Sequence, residues 1–347
     1  MEPADNLSSP NSLDHANRLL AERRIREALR AYDVAEQGGY PRHECAAGRW
    51  MCWMLIGDFE SAWRQSDKIE RYQITDPNRF WDGQPFNGKR VLLRALHGFG
   101  DTVQFIRYAP LLRRVARRLI VQSHTELMPL LQKVEGVDET ITWPDPPSPH
   151  SRWDQQVEIM ELPRAFRTKI SSIPNQMPYI SVESSMAERS RKRLVGSTKP
   201  RIGLIWASSQ YDTTRSLKLE KLSPILRMDA FEFYSFQRGS ERMQLKGLNS
   251  PVHDIAIHSP TIIDTAADLT NMALVISVDT FAAHLAAALK RPVWLLLPFA
   301  ADWRWLLSRR DSPWYPTMRL FRQSAPGEWE PVISEVVDEL TRVRLAG

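Results

Sequence analysis

From Arg90 to Leu297 the chain alternates short β-branched, apolar runs with segments of helical period, and it does so in two series. The first series predicts a strand over 90–96, a helix over 102–118, a strand over 119–122, a helix over 126–134, and short strands near 140–143 and 157–160. After a charged helix at 187–194, the second predicts strands at 202–206, 231–236, 252–255, 274–278 and 293–297, with helices between them. Strand, helix and parallel strand in succession form the βαβ unit, whose sheet has to be covered by helices on both faces. Two such series, parted near residue 195, imply an α/β protein with two doubly wound, Rossmann-like lobes. Ligands of such sheets bind beyond the carboxyl ends of the strands, so the expected site is the cleft between the lobes.

Ahead of the lobes, residues 13–72 are helical in pattern: Leu19, Leu20, Ile25, Leu29 and Tyr32 recur at helical spacing, as do Trp50, Trp53, Met54 and Ile56. A faint repeat runs through them. Glu27-Ala28-Leu29 with Tyr32 and Ala35 aligns with Ser61-Ala62-Trp63, Ser66 and Ile69, and 62 − 28 = 34 is the tetratricopeptide period. Helix pairs of that kind stack through small residues such as these alanines. The division expected is a tetratricopeptide-like helical segment over 1–75 that caps the fold or docks a protein partner, a first lobe over 76–195, and a second lobe with a C-terminal helix over 196–347. Asp76-Pro77-Asn78 and Gly83 to Gly88 supply a turn-rich linker, and Pro144 to Pro149 a proline-rich surface loop.

Charge and cysteine usage narrow the function classes. The formal charge of +5 comes from 46 basic and 41 acidic residues spread along the chain, which suits an anionic substrate or membrane surface and is too small an excess to imply nucleic acid. Cys45 and Cys52 are the only cysteines and lie in a helical stretch, which supports neither a disulfide framework nor a zinc site and fits a reducing compartment. Met1 to Ser12 lacks the pattern of a secretory signal, and no apolar run reaches the roughly 18 residues of a spanning helix. A cytoplasmic protein is expected, with at most peripheral contact with the inner membrane. No complete P-loop, H-E-x-x-H, G-x-S-x-G or C-x-x-C element occurs.

Three stretches carry the candidate chemistry. Gly98-Phe99-Gly100-Asp101-Thr102 follows the first strand of the first lobe; its glycines permit a tight turn, and Asp101 or Thr102 is placed to cap the next helix. Val103 stands where a dinucleotide fingerprint needs its third glycine, and an aspartate among the amides would repel a pyrophosphate, so Asp101 is better cast as a general base. In the second lobe, Ser277-Val278-Asp279-Thr280-Phe281-Ala282-Ala283-His284 puts Asp279-Thr280 at a strand-to-helix turn and His284 one helical turn beyond Thr280 on the same face. Free amides at the helix start, the Thr280 hydroxyl and an imidazole make an anion site. Arg215 and Lys218, in the loop after the strand ending at Trp206, could close on phosphates. Of the lesser features, Gln237-Arg238-Gly239 ends a strand on the cleft side and could contact a base or ribose, and Asp264-Thr265 reads as a helix cap. The tryptophans at 303, 305 and 314 read as packing or as sugar-stacking faces, and Arg113, Arg114, Arg117 and Arg118 as a basic helix end that complements the dipole or touches anionic lipid.

These stretches, with Val103 to Tyr108, Pro298 to Trp305 and Ser312 to Pro316, resemble the bacterial proteins that join tetratricopeptide-like helices to a heptosyltransferase-like domain of glycosyltransferase family 9. The resemblance covers about residues 80 to 345. It implies the GT-B fold and an inverting, metal-independent transfer from a nucleotide-sugar donor, with no other cofactor, to a glycan, lipid-linked or protein acceptor of the cell envelope, lipopolysaccharide included. It further implies that Asp101 activates the acceptor hydroxyl, that Asp279, Thr280 and His284 hold the donor diphosphate, and that Arg215 assists; Phe281 and Gln237 are counted with the donor-binding residues. The chain departs from the family pattern at Ser208-Ser209-Gln210, where relatives read G-N-P, and at Phe281, where heptosyltransferases often carry glycine. Two other classes suit the same architecture: a catalytically idle scaffold with a docking module, and an epimerase of the UDP-sugar type.

Overall fold

The computed structural model describes residues 12–73, 81–142, 153–194, 198–208, 212–247 and 252–343. The expected linker at Asp76-Pro77-Asn78, the loop at Pro144 to Pro149, the lobe boundary near 195 and the departure at Ser209-Gln210 lie outside the described residues. The helical segment contains α1 (Leu13–Ala21), α2 (Ile25–Gln37), α3 (Arg42–Ile56) and α4 (Phe59–Gln73). It is followed by β1 (Arg90–Arg94), α5 (Phe99–Phe105), α6 (Ala109–Val115), β2 (Arg118–Ser123), α7 (Met128–Leu131), β3 (Glu139–Thr142), β4 (Gln155–Glu158), α8 (Leu162–Ala165) and α9 (Ser184–Arg193). The remainder is β5 (Arg201–Ile205), α10 (Ser223–Leu226), β6 (Glu232–Ser235), β7 (Val252–Asp254), α11 (Ile262–Leu269), β8 (Leu274–Val278), α12 (Phe281–Ala288), β9 (Val293–Leu297), β10 (Met318–Arg322) and α13 (Trp329–Arg342).

The chain divides into two compact units. The helical unit gathers Met1–Gly83 with two segments from elsewhere in the chain, Glu161–Ile173 and Ala300–Arg309, which the sequence pattern assigned to the lobes. Within it each of α1 to α4 packs on the next. Ala28 and Ala62, one repeat period apart, are both fully buried, and a side chain at Gly48 would strike the Tyr32 ring. The recruited segments are held by specific bonds that no local pattern announces. The Trp63 indole donates to Thr168 O at 2.8 Å, Arg164 and Arg167 both reach Asp67, and Arg23 donates to Ala301 O at 2.8 Å. Trp303 packs edge-on against Trp50 and Phe59, at centroid distances of 5.8 and 6.5 Å. α3 ends at Gly57 in the left-handed conformation (φ 84°), the usual glycine stop. A Cβ there would also lie 2.8 Å from the Ile170 side chain, so the bare backbone is what lets the recruited segment approach.

The second unit holds both sheets. Among the described residues the strand orders are β3-β2-β1-β4 and β10-β9-β8-β5-β6-β7, and every ladder is parallel. The first sheet runs from β1 out to β3 and returns to the other side of β1; the second runs from β5 out to β7 and returns to the other side of β5. Chain direction thus reverses beside β1 in one sheet and between β5 and β8 in the other, and such switch points open the crevices in which ligands bind. One face of the second sheet, through Leu274, Ile276, Val278 and Leu296, is sealed by Trp329, Val332, Ile333, Val336 and Leu340 of α13, the apolar stripe of an amphipathic helix.

The helix expected over 102–118 is broken. α5 gives way to a 3-10 turn at Ile106–Tyr108, α6 restarts with Pro110 in its first turn, and Arg118 already belongs to β2. Proline has no amide to donate inside a helix and is suited to opening one, which accounts for the break. The four arginines are therefore not a helix end: Arg113 and Arg114 close α6, and Arg118 opens a strand. The segment expected as a helix over 126–134 is likewise a 3-10 turn and the single-turn α7. Asp264 is not the cap of α11; Thr261 caps it, and Asp264 completes a reciprocal capping box.

Trp303 is 7% exposed, and replacing a buried tryptophan with alanine costs about 3–5 kcal/mol. Trp303→Ala should therefore destabilise the helical unit by that amount in urea unfolding, and a loss under about 1 kcal/mol would show that this packing does not hold the recruited segment. Cys45 and Cys52 are both fully buried, and burial pushes the Cys52 thiol up to about 12. A thiol-reactive reagent should label neither cysteine in the folded protein and both in denaturant.

Candidate active site

Two helix starts form the site, one from each sheet. After β1 the chain enters α5 through Gly98, whose backbone is the N-cap, so Asp101 is the third helical residue and not the cap. Thr102 is buried, and its hydroxyl turns back to donate to Gly98 O at 3.3 Å. Neither residue caps the helix, contrary to the sequence reading. A first-turn aspartate is favoured by the helix dipole, and the carboxyl of Asp101 is only partly buried. After β8, Thr280 is the N-cap of α12 with extended backbone, and its side chain makes no capping bond to the amides that open this helix. The Thr280 hydroxyl lies 3.1 Å from that of Ser277.

Gly100 brings the two starts together. A Cβ at this position would lie 3.2 Å from His284 Cδ2 and 3.8 Å from both His284 Nε2 and the Phe281 Cα, so α5 and α12 abut here because residue 100 has no side chain. Asp101 is the next residue. Phe99 and Phe281 meet edge to face with centroids 5.6 Å apart, and Phe99 meets His124 in the same way at 5.0 Å. Phe281, where the family pattern has glycine, thus joins an aromatic row across the two lobes.

Behind this contact lies a chain of polar groups. Asp279 is buried between two partners, with Oδ1 3.5 Å from His284 Nε2 and Oδ2 3.6 Å from Arg215 Nη1. Arg215 also donates to Asp279 O and is braced by Asp212 at 2.9 Å. Nδ1 of His284 is 2.8 Å from the Tyr315 hydroxyl. Burial pushes the Tyr315 phenol well above its ordinary range, and the Tyr179 phenol up as well, so both remain neutral. Arg107 lies against both rings, its guanidinium carbon 4.4 Å from the centre of Tyr315 and 4.8 Å from that of Tyr179. It donates to Gln104 O, Pro174 O, Trp314 O and Tyr179 Oη. Asp279, expected in the donor-binding set, thus lies in contact with both Arg215 and His284.

The expected residues are not all brought together. Lys218 stands exposed. Gln237 is 3% exposed; its Oε1 accepts from the amides of Trp206 and Ala207, and its Nε2 donates to Ala207 O and Arg238 O. With both donors and both acceptor directions used, it pins the ends of β5 and β6 to each other and is removed from the donor-binding set. Trp303 and Trp305 are buried in the helical unit, and Trp314 is fully buried against Phe105, so none presents a face for sugar stacking. The sequence reading missed Arg107 and Tyr315. The one local signal for Arg107 was an arginine inside a mostly apolar run from Val103 to Ala109, which Gln104 also interrupts.

No family model matches the chain. It is similar to Protein FlbA of Caulobacter vibrioides (strain ATCC 19089 / CIP 103742 / CB 15), 23% identical over 326 residues, which is 83% of this chain and 53% of that protein. The chain thus spans about half the length of this curated relative. Among solved structures it resembles the E. coli ADP-heptose lps heptosyltransferase II at a TM-score of 0.51, with 14% identity over 73% of this chain and 98% of the other. It also resembles the family 9 glycosyltransferase of Veillonella parvula DSM 2008 at a TM-score of 0.51, with 9% identity over 77% of this chain and 92% of the other. The two lobes have the heptosyltransferase-like GT-B fold. The fold class expected from the two βαβ series and the motif resemblance is borne out.

Gln237→Leu would strand two buried amides, at about 1–3 kcal/mol for each unsatisfied group. The expected result is a lower melting temperature by calorimetry, and an unchanged melting temperature would reopen a ligand role for Gln237.

Proposed function

We propose that the protein is a glycosyltransferase that moves a sugar from a nucleotide-sugar donor to an acceptor hydroxyl with inversion and without a metal. The observation that carries this reading is the abutment at Gly100, where the α5 start bearing Asp101 faces the α12 start bearing Thr280 and His284. The two sides carry opposite charge, as a displacement at a sugar carbon requires. Asp101 takes the proton of the acceptor hydroxyl as its oxygen bonds to the anomeric carbon, and the bond from that carbon to the diphosphate oxygen breaks on the opposite face. The negative charge released on the nucleoside diphosphate falls to the opening amides of α12, the Thr280 hydroxyl, Arg215 and His284.

Those groups supply in the protein the positive charge that a divalent ion supplies elsewhere. Among the described residues no three His, Cys, Asp or Glu side chains cluster as metal ligands. The similar E. coli structure is that of an ADP-heptose lps heptosyltransferase, which makes ADP-heptose the first donor to test. The acceptor is taken to be a glycan, a lipid-linked sugar or a protein. The helical unit is read as the docking module, a tetratricopeptide-like reading supported by the burial of Ala28 and Ala62 one period apart. The reaction is assigned to the cytoplasm, where nucleotide sugars are made; among the described residues no helix is long and apolar enough to cross a membrane.

Asp101→Asn should lower transfer by at least about 100-fold, the usual contribution of a general base, while leaving nucleoside diphosphate affinity within about twofold. Retained turnover would refute the assignment. His284→Ala should weaken nucleoside diphosphate binding about tenfold in calorimetry, close to 1.4 kcal/mol; an unchanged affinity would make His284 a packing residue.

A further inference from the structure

The first sheet carries a second charged site at its other end. α5 leaves the carboxyl end of β1, whereas Arg90 and Arg118 open β1 and β2 at their amino ends. One five-residue strand, roughly 17 Å at about 3.3 Å per residue, therefore separates this site from the cleft. Arg90 and Arg118 are register partners in the parallel ladder, an arrangement of like charges that disfavours pairing unless each is neutralised from outside. Arg90 is held by Asp154 at 2.8 Å and Arg118 by Glu139 at 2.9 Å. Arg113, from the end of α6, donates to Asp138 Oδ2 at 2.6 Å, an oxygen that also accepts from Leu119 N at 2.7 Å.

A cavity of about 510 Å³ opens among these groups, lined by Arg90, Arg113, Arg117, Arg118 and Asp138. Its volume falls in the range of ligand sites, about 300–1,000 Å³. Its chemistry is not that of an apolar pocket: four of the five lining side chains are guanidiniums, of which Arg90, Arg113 and Arg118 are each paired with a carboxylate, so the surplus positive charge is that of Arg117. Arg117 is exposed, and its side chain forms no hydrogen bond or ion pair among the described residues. Its backbone amide bonds Lys89 O, which brings another exposed cation alongside. Pairing accounts for Arg90, Arg113 and Arg118, whereas the Arg117 side chain has no such carboxylate partner among the described residues.

We propose that this cavity binds a phosphate group, with Arg117 as the guanidinium reserved for it and the paired guanidiniums of Arg90, Arg113 and Arg118 lining the walls as further N–H donors. Planar guanidiniums around a concavity match phosphate oxygens bidentately. The group can come from the headgroup of an acidic phospholipid or from a soluble phosphate compound, and the same chemistry serves both. The proposal does not depend on the transferase reading, because the site lies beyond the amino ends of the strands.

The test uses the full chain and compares wild type with Arg117→Glu and Arg117→Gln. One arm titrates inorganic pyrophosphate by calorimetry; the other sediments the protein with vesicles of phosphatidylcholine alone or mixed with phosphatidylglycerol. Any pyrophosphate bound at α12 is common to all three proteins, so the difference between them reads the cavity. Arg117→Glu should lose at least about tenfold in affinity, and Arg117→Gln should lose in the same direction, with melting temperatures little changed because Arg117 is exposed. Loss confined to pyrophosphate assigns a soluble ligand, loss confined to phosphatidylglycerol vesicles assigns a lipid headgroup, and loss in both arms assigns the shared phosphate chemistry. Absence of binding in both arms, or equal binding by all three proteins, would overturn the proposal.

Discussion

A guanidinium taken out of water has to find an acceptor or a ring face for each of its N–H groups, and Arg107 finds them on several segments at once. It is 3% exposed; its donors go to the end of α5, to the chain at Pro174 and Tyr179 that leads toward the second sheet, and to Trp314 beyond β9. Removing an acceptor from such a group leaves a buried charge uncompensated, at about 3–5 kcal/mol, so the segments that supply them are fixed together. The Trp314-Tyr315 turn is one of these segments, and the Tyr315 hydroxyl holds His284. The position of the imidazole in the second lobe is thereby tied to an arginine in the first.

The same logic assigns Asp279. A buried carboxylate would oppose phosphate binding if it faced the ligand, yet here it lies between Arg215 and His284 and keeps two donors oriented. The groups proposed to meet an anion are the opening amides of α12, which the Thr280 side chain does not cap, the Thr280 hydroxyl, Arg215 and His284. Asp101, the proposed base, follows Gly100, where the lack of a side chain eases the close approach of α5 to α12. The proposed division of labour follows from that separation of charge.

Much of this was legible in the chain itself. β8 and β9 begin and end at the residues expected, because runs such as Leu274 to Val278 are apolar throughout and have no helical alternative once flanked by turns. Asp279-Thr280 falls at the expected strand-to-helix turn for the same reason. The helix over 102–118 was misjudged where Pro110 restarts it, an effect that apolar periodicity does not register. Gln237, Tyr315 and Trp303 were beyond local reading, since each acquires its role from partners far along the chain: the loop after β5 for Gln237, α12 for Tyr315, and α3 and α4 for Trp303.

The central claim is that the cleft at Gly100 receives a nucleoside diphosphate sugar. A thermal-shift screen of ADP-, UDP-, GDP- and CMP-linked sugars tests it most directly, because a ligand that binds only the native state stabilises it by about 2.7 kcal/mol at 100 times its Kd. The account predicts that one nucleotide class raises the melting temperature and that its free diphosphate does so as well. No shift with any donor or diphosphate would contradict it.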